Sequence, residues 1–295
     1  MKASIIIPTK NGGERFSHVL KALFENELAD EFEVIVIDSG SSDNTLQTAA
    51  SYPVRLHRIA PQEFDHGKVR NLGARISHGD FLVFLTQDAI PADRHWLAAL
   101  LQPFAGNNAI AGVYSRQIPD GDNPMENFFL QRIYGDRRIV RRCSSSFASG
   151  LPPLQDIFFS NVGSAIRRKV WEQIPFREGI VMSEDQEWSK RALFAGYETV
   201  YEPGAAVYHA HNYSARTVFL RNRDSGFSLH NITKERFLPS LASAVSFVAA
   251  EIAALYRSHG CMIIPRVLLY ETSRFGGFAF GSAAARFRRK PNAER

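Results

Sequence analysis

Phe32-Glu-Val-Ile-Val-Ile-Asp38-Ser-Gly-Ser-Ser-Asp43-Asn-Thr45 runs apolar and β-branched until it stops at an acid followed by a loop of small residues. A strand buried on both faces has this composition, and its terminal acid is delivered to a ligand crevice. Ile5-Ile-Ile-Pro8-Thr9 before it and Phe81-Leu-Val-Phe-Leu85-Thr-Gln-Asp88 after it have the same form. Ligands of open α/β sheets bind outside the carboxyl ends of the strands, so Thr9, Asp38 and Asp88 are expected to converge on one site.

Around these strands the pattern alternates. Phe16, Val19, Leu20, Leu23 and Phe24 fall at helical spacing. A short helix begins at Ser42 or Asp43, a strand follows over 54–59, and 68–76 is expected to be helical. Such alternation predicts a parallel sheet with helices on its faces. Farther on, 96–104 reads as a helix, 110–118 as a strand, and Asp120-Gly-Asp-Asn-Pro124 as a loop by its turn chemistry. Residues 158–166 read as a strand returning to the sheet, 168–174 and 183–194 as helices, and 199–207 as a strand. The basic, Ser-rich stretch 137–150 reads as mobile. From about Ala215 the pattern becomes helical, with apolar helices expected over 238–257 and 263–274.

At 295 residues and 45% apolar content the chain supports a packed core, and disorder is excluded as its main state. Its two cysteines, Cys143 and Cys261, have neither disulfide-framework nor zinc-ligand spacing. The longest apolar stretch, 241–255, is interrupted by Glu251 and is shorter than the roughly 20 residues a spanning helix needs. The amino terminus enters a strand directly, so no secretory signal is read and a cytoplasmic location is expected. Residues 212–295 hold 13 Lys+Arg against 5 Asp+Glu, or +8, while the remainder holds 22 against 25, or −3. The positive charge therefore belongs to the tail.

Pro8-Thr9, the loop from Asp38 to Thr45, the Thr86-Gln87-Asp88 turn and Glu184-Asp185 occur in the order found in family 2 glycosyltransferases. Over residues 1 to about 212 the chain resembles that family. The resemblance implies an α/β fold of the GT-A, Rossmann-like kind: a mixed, mainly parallel sheet with helices on both faces, plus a C-terminal helical extension. It implies a catalytic domain over 1–212 and a helical, basic extension over 213–295. The implied activity is inverting transfer of a sugar from a nucleoside diphosphate. Glu63-Phe-Asp-His66-Gly-Lys-Val-Arg70-Asn71-Leu-Gly-Ala is similar to a segment of bacterial rhamnosyltransferases, which points to dTDP-L-rhamnose as donor and to cell-surface polysaccharide or O-antigen as product.

Under this resemblance, Asp38 accepts hydrogen bonds from a base ring N–H or a sugar hydroxyl, with capping of its own loop as the alternative. Pro8 and Thr9 meet the donor through main-chain atoms, and Gln87 lies beside it. Asp88 is the expected metal ligand, with Mg²⁺ or Mn²⁺ as cofactor and Lewis acid. The family's usual Asp-X-Asp is here Thr86-Gln87-Asp88, so its first carboxylate is missing. His211, from Tyr208-His-Ala-His211, is expected to supplement Asp88, ahead of His209, and imidazole favours manganese. His66, Lys68 and Arg70 lie near a helix start and are expected on the diphosphate or base. Asp185 is the expected catalytic base. Glu184 orients that base or contacts the acceptor, and Trp188 either faces an acceptor sugar or packs in the core.

A saccharide or lipid-linked acceptor would account for the tail. Arg286, Arg288, Arg289 and Lys290 are suited to an anionic membrane surface, such as the inner face of the cytoplasmic membrane, with Phe275, Phe278, Phe280 and Phe287 inserting shallowly. Packing on the catalytic domain or a homodimer contact are the alternatives. The reduced metal motif raises a competing function, a non-catalytic nucleotide-sugar-binding or scaffold protein. Nucleic acid is not an expected partner, since no recognised module is present. No Gly-X-Gly-X-X-Gly follows the first strand and no Walker loop occurs, which argues against dinucleotide oxidoreduction and P-loop chemistry.

Overall fold

The computed structural model describes residues 2–28, 31–143, 152–233 and 241–287. The three apolar runs form β1 (Ala3–Thr9), β2 (Phe32–Asp38) and β4 (Phe81–Leu85), with the short α2 (Thr45–Ala50) leading into β3 (Val54–Arg58) beside β2. Consecutive apolar residues are needed because both faces are covered. Ile5, Ile7, Val34 and Val36 point into one core with Phe16, Val19, Leu20 and Leu23 of α1 (Gly13–Phe24) and Trp96 and Leu100 of α4 (Trp96–Leu101). Ile6, Ile35 and Ile37 point into the other, with Val69 and Ala74 of α3 (His66–Ile76), Trp171 of α7 (Arg168–Gln173) and Trp188 of α8 (Glu184–Phe194). The two-residue period of a strand sorts neighbouring side chains into these two layers.

Strand order is β3-β2-β1-β4, then β8 (Gly163–Arg167), β6 (Ile110–Ile118), β9 (Glu198–Tyr208) and β5 (Ile90–Pro91), with β7 (Ile139–Arg141) paired to β9. β1, β2, β3 and β4 are mutually parallel, and Thr9 pairs with Asp38, so these two strand ends are level. Because β4 returns to the far side of β1, the winding reverses between them, where a ligand crevice opens. β8 runs antiparallel to both β4 and β6. β6 pairs in parallel with β9, while β5 and β7 are antiparallel to β9. The expected mixed sheet is therefore present, but parallel pairing dominates only its first half. A single buried strand carries no direction in its sequence.

Other departures are local. Residues 158–162 are not strand: α6 (Leu154–Ile157) and an irregular turn precede β8. α5 (Pro124–Ile133) follows the expected loop, with Asn123 Oδ1 accepting from the N–H groups of Met125 and Glu126. Its Pro124 was a start signal as well as a turn residue. α3 begins two residues earlier than read, because the Asp65 carboxylate accepts from Lys68 N. Half of the stretch read as mobile, 144–150, lies outside the described residues.

The chain forms two compact units, one of residues 1–120, 130–180 and 184–209, the other of 121–129, 181–183 and 210–295. In the second, α9 (Ala215–Thr233), α10 (Leu241–His259) and α11 (Ile263–Phe287) enclose Met125, Val218, Ile263, Val267 and Tyr270. α11 runs well past the expected end at 274. Its glycines do not break it; they admit α9. A Cβ on Gly281 would stand 1.8 Å from Arg223 O, and one on Gly277 2.3 Å from Phe219 O. Arg274 is enclosed there with Glu126 and Glu271, both of which accept from it. Glu251 is fully buried and neither carboxyl oxygen has a hydrogen-bond partner among the described residues. Burial, and secondarily the charge of Glu271, push its carboxyl up to about 8. No helix among the described residues is long and apolar enough to cross a membrane.

Candidate active site

The loops after β1 and β2 are clasped together. Asn11 N donates to Ser41 Oγ at 2.9 Å, Ser42 N to Asn11 Oδ1 at 2.8 Å, and Gly12 N to Thr45 Oγ1 at 2.7 Å. The small polar residues of 39–45 are needed for this, since each places a hydroxyl or carboxylate against an N–H of the neighbouring loop. Asp38 is fully enclosed and turns its carboxylate onto Gly40 N, Ser41 N and the Ser41 hydroxyl. Of the two roles expected of Asp38, loop capping is present here: a strand-end acid followed by Ser-Gly-Ser meets its own N–H groups first, and its carboxylate keeps further acceptor sites. Thr9 is equally buried; its hydroxyl donates to Ile37 O, and its carbonyl accepts from Ser39. Pro8, one residue earlier, is partly exposed.

Beyond β4, Gln87 makes two bonds to the main chain of Lys10, accepting from its N and donating to its O, and so ties this turn to the first loop. Arg15, not anticipated from sequence, donates from Nε to Asp88 O at 2.7 Å and from Nη2 to both oxygens of Asp120 at 3.0 Å. The Asp88 carboxylate stands 3.5 Å from His209 Nε2 at the exit of β9. Ligand atoms of Asp88, His209 and His211 all lie within 4.8 Å of one another. His209 and His211 bring imidazole nitrogens where Thr86 offers no carboxylate. A set of two imidazoles and one carboxylate suits Mn²⁺ better than Mg²⁺, which prefers oxygen alone. His209, ranked below His211 in the sequence reading, is the more buried of the two.

The second cluster lies at the start of α8. Glu184 is buried and forms an ion pair with Arg70 at 2.9 Å, both side chains only 6% exposed. Burial opposes its ionisation, but the Arg70 charge and then His66 overcome this and hold its carboxyl below the usual value. Asp185 is partly exposed and accepts from Asn161 N at 3.0 Å. Burial first, and the adjacent Glu184 charge second, raise its carboxyl to about 7. A partly accessible carboxyl poised near neutrality is suited to general base work.

One short segment touches both clusters. Val162 O accepts from Thr86 N at 3.1 Å, in the turn that carries Asp88. Asn161 holds Asp185 through its main chain and Glu184 through its side-chain amide at 3.2 Å. A strand expected over 158–166 hid this segment; Ser160-Asn161, polar residues after Phe158-Phe159, were the available signal.

Of the remaining expected residues, Arg70 donates to His66 O at 3.2 Å, which brings His66 beside the Glu184 cluster, while Lys68, between them in sequence, is exposed. Trp188 is a correction. It is fully buried between Phe159 and Phe176, with its indole N–H on Ile174 O, and offers no face to a sugar. A bulky aromatic beside an acid pair reads equally as ligand platform or as core, and here the core claims it. Arg288, Arg289 and Lys290 lie outside the described residues.

A family model described as glycosyl transferase family 2 matches residues 4–174. The O-antigen chain rhamnosyltransferase WbaN of Salmonella anatum is 33% identical over 283 residues, covering 94% of this chain and 88% of that protein. RfbN of Salmonella typhimurium, also described as an O-antigen chain rhamnosyltransferase, is 33% identical over 95% of this chain and 90% of its own length. Among solved structures, the mannosyltransferase PcManGT from Pyrobaculum calidifontis, in complex with GDP-Man and Mn²⁺, superposes with a TM-score of 0.64 at 16% identity, covering 98% of this chain and 88% of that one. At that identity the likeness shows the fold alone, which is that of the GT-A glycosyltransferases.

Proposed function

We propose, from the premise that this chain belongs to glycosyl transferase family 2, that it transfers L-rhamnose with inversion from dTDP-L-rhamnose to a saccharide or lipid-linked acceptor in O-antigen or related cell-surface polysaccharide synthesis. The observation that carries this reading is the pair of clusters joined by residues 160–162: a metal-type triad on one side and a raised carboxyl on the other. An in-line displacement needs these two functions on opposite sides of the anomeric carbon. Similarity to WbaN and RfbN over nearly the whole chain supports the choice of rhamnose.

In this reading Asp88, His209 and His211 hold a divalent cation, which supplies charge neutralisation to the departing diphosphate. Asp185 takes the proton of the attacking hydroxyl, and the single displacement inverts configuration. Glu184, fixed by Arg70 and Asn161, keeps Asp185 basic by its adjacent charge. His66, Lys68 and the main chain of the first loop are the donor-facing groups. The competing non-catalytic reading rests on the missing carboxylate at position 86, and the two imidazoles beside Asp88 weigh against it.

For the second unit we propose contact with an anionic membrane surface. Val245, Tyr256, Leu269, Phe280 and Phe287 are exposed apolar groups on α10 and α11, and the acids Glu251 and Glu271 are buried, leaving the outer faces apolar and cationic. Co-sedimentation with anionic but not neutral vesicles tests the membrane contact.

The enzymatic test is direct. Purified protein with Mn²⁺, a lipid-linked saccharide acceptor and dTDP-L-rhamnose should release dTDP, with UDP and GDP sugars as controls. Asp185→Asn should lower turnover by about 10²–10⁴-fold while sparing donor binding. Donor binding without turnover over a broad acceptor panel would overturn the proposal.

A further inference from the structure

We infer that Gln117 is a positioning residue: it fixes the tautomer of His209 so that Nε2, and not Nδ1, is the nitrogen presented beside Asp88. The inference rests on the metal-site reading above and adds to it a residue from the middle of the sheet, on β6.

His209 is 7% exposed, and its Nδ1 lies 2.9 Å from Gln117 Oε1. An amide oxygen only accepts, so with Gln117 in this orientation the ring carries a proton on Nδ1, which leaves Nε2, 3.5 Å from Asp88, for a cation shared with that carboxylate. The far end of the Gln117 amide meets two hydroxyls, which accept in this orientation and could donate to the reversed one, so the NMR experiment below is what decides the orientation. The amide nitrogen donates to the Tyr134 hydroxyl at 2.5 Å and to the Ser160 hydroxyl at 3.1 Å, and all three residues are buried. The reversed amide would aim an N–H at Nδ1 and move the ring proton to Nε2, a tautomer that cannot ligate there. Ser160 precedes Asn161, which holds Asp185, so the same turn supports the groups assigned to the leaving-group side and to the base.

The test uses the full chain. In the metal-free protein, ¹⁵N-histidine NMR should show His209 protonated at Nδ1. Mn²⁺ titration followed by electron paramagnetic resonance should give an affinity about 10–100-fold weaker for Gln117→Met. Gln117→Glu, which keeps an acceptor oxygen toward Nδ1, should stay within a few-fold of wild type. If Gln117→Met fails to fold, the wild-type NMR result and the Gln117→Glu titration still decide the matter. An Nε2–H tautomer in the wild type, wild-type affinity in Gln117→Met, or equal losses in both variants would overturn the inference. His209→Ala and Asp88→Asn separate the two levels: if neither weakens Mn²⁺ binding, the metal-site reading itself fails. If both weaken it and Gln117→Met does not, only the role of Gln117 falls.

Discussion

Glu184→Gln should move the pH dependence of turnover toward acid. Asp185 is held near 7 by burial and by the Glu184 charge, so its ionised fraction climbs from about one-tenth at pH 6 to about nine-tenths at pH 8. The rate governed by the base should rise with pH over the same interval. Two adjacent unit charges roughly 6 Å apart, in an effective dielectric of about 20, interact by about 3 kcal/mol, or about 2 pH units. Because Asp185 is partly open to water, a shift of about 1.5 units is the working figure. The amide of the variant retains acceptors for Asn161 and Arg70, and the freed guanidinium acts in the same direction by favouring the Asp185 anion. At pH 6 the variant should therefore reach roughly three-quarters of its own plateau, against roughly one-tenth for the wild type. The assay is nucleoside diphosphate release across pH 5.5–8.5, read as the position of the acid limb of kcat/KM and not as absolute rate. A limb that stays in place, or moves to higher pH, would refute the electrostatic coupling of the two acids.

Other outcomes follow from single features. Glu251 titrates near 4.5 when unfolded but keeps its proton to about 8 when folded. The unfolded state thus binds fewer protons between those values and stability falls as pH rises through that window. Glu251→Gln should remove this slope, gaining about 2–4 kcal/mol at pH 8 and little at pH 4, as read by urea unfolding. Gly281→Ala must push the backbones of α9 and α11 apart, since its Cβ would stand 1.8 Å from Arg223 O. Thermal melting should reveal a loss of about 2–4 kcal/mol despite the better helix propensity of alanine. Chelation should abolish turnover, with Mn²⁺ restoring it more fully than Mg²⁺; equal restoration would contradict the imidazole-rich donor set.

The parallel half of the sheet was legible because strands covered on both faces need uninterrupted apolar runs, and 5–9, 32–38 and 81–85 have them. The antiparallel half was not, since β8 and β6 look the same in either direction and their pairing is decided by tertiary contacts. Asp88 and the histidine pair were visible as polar groups stranded after apolar runs, while Glu184 and Asp185, acids at a helix start, stood out only through the family resemblance. Asp38 and Trp188 each admitted two readings for a common reason: a residue type suited to ligand contact is equally suited to local capping or core packing, and for Trp188 full burial selects the core. Gln117, Arg15 and Asn161 act by supporting other groups across 92, 73 and 24 positions of sequence, so no local pattern announces them.

The meeting of α9 and α11 at glycines has a mechanical consequence. Where main chains touch with no side chains between them, the helices cannot slide by exchanging rotamers, because there are none to exchange. They must travel as one stiff shaft. Between α10 and α11, by contrast, the chain turns at Gly260, whose φ of 65° is one that glycine adopts without strain.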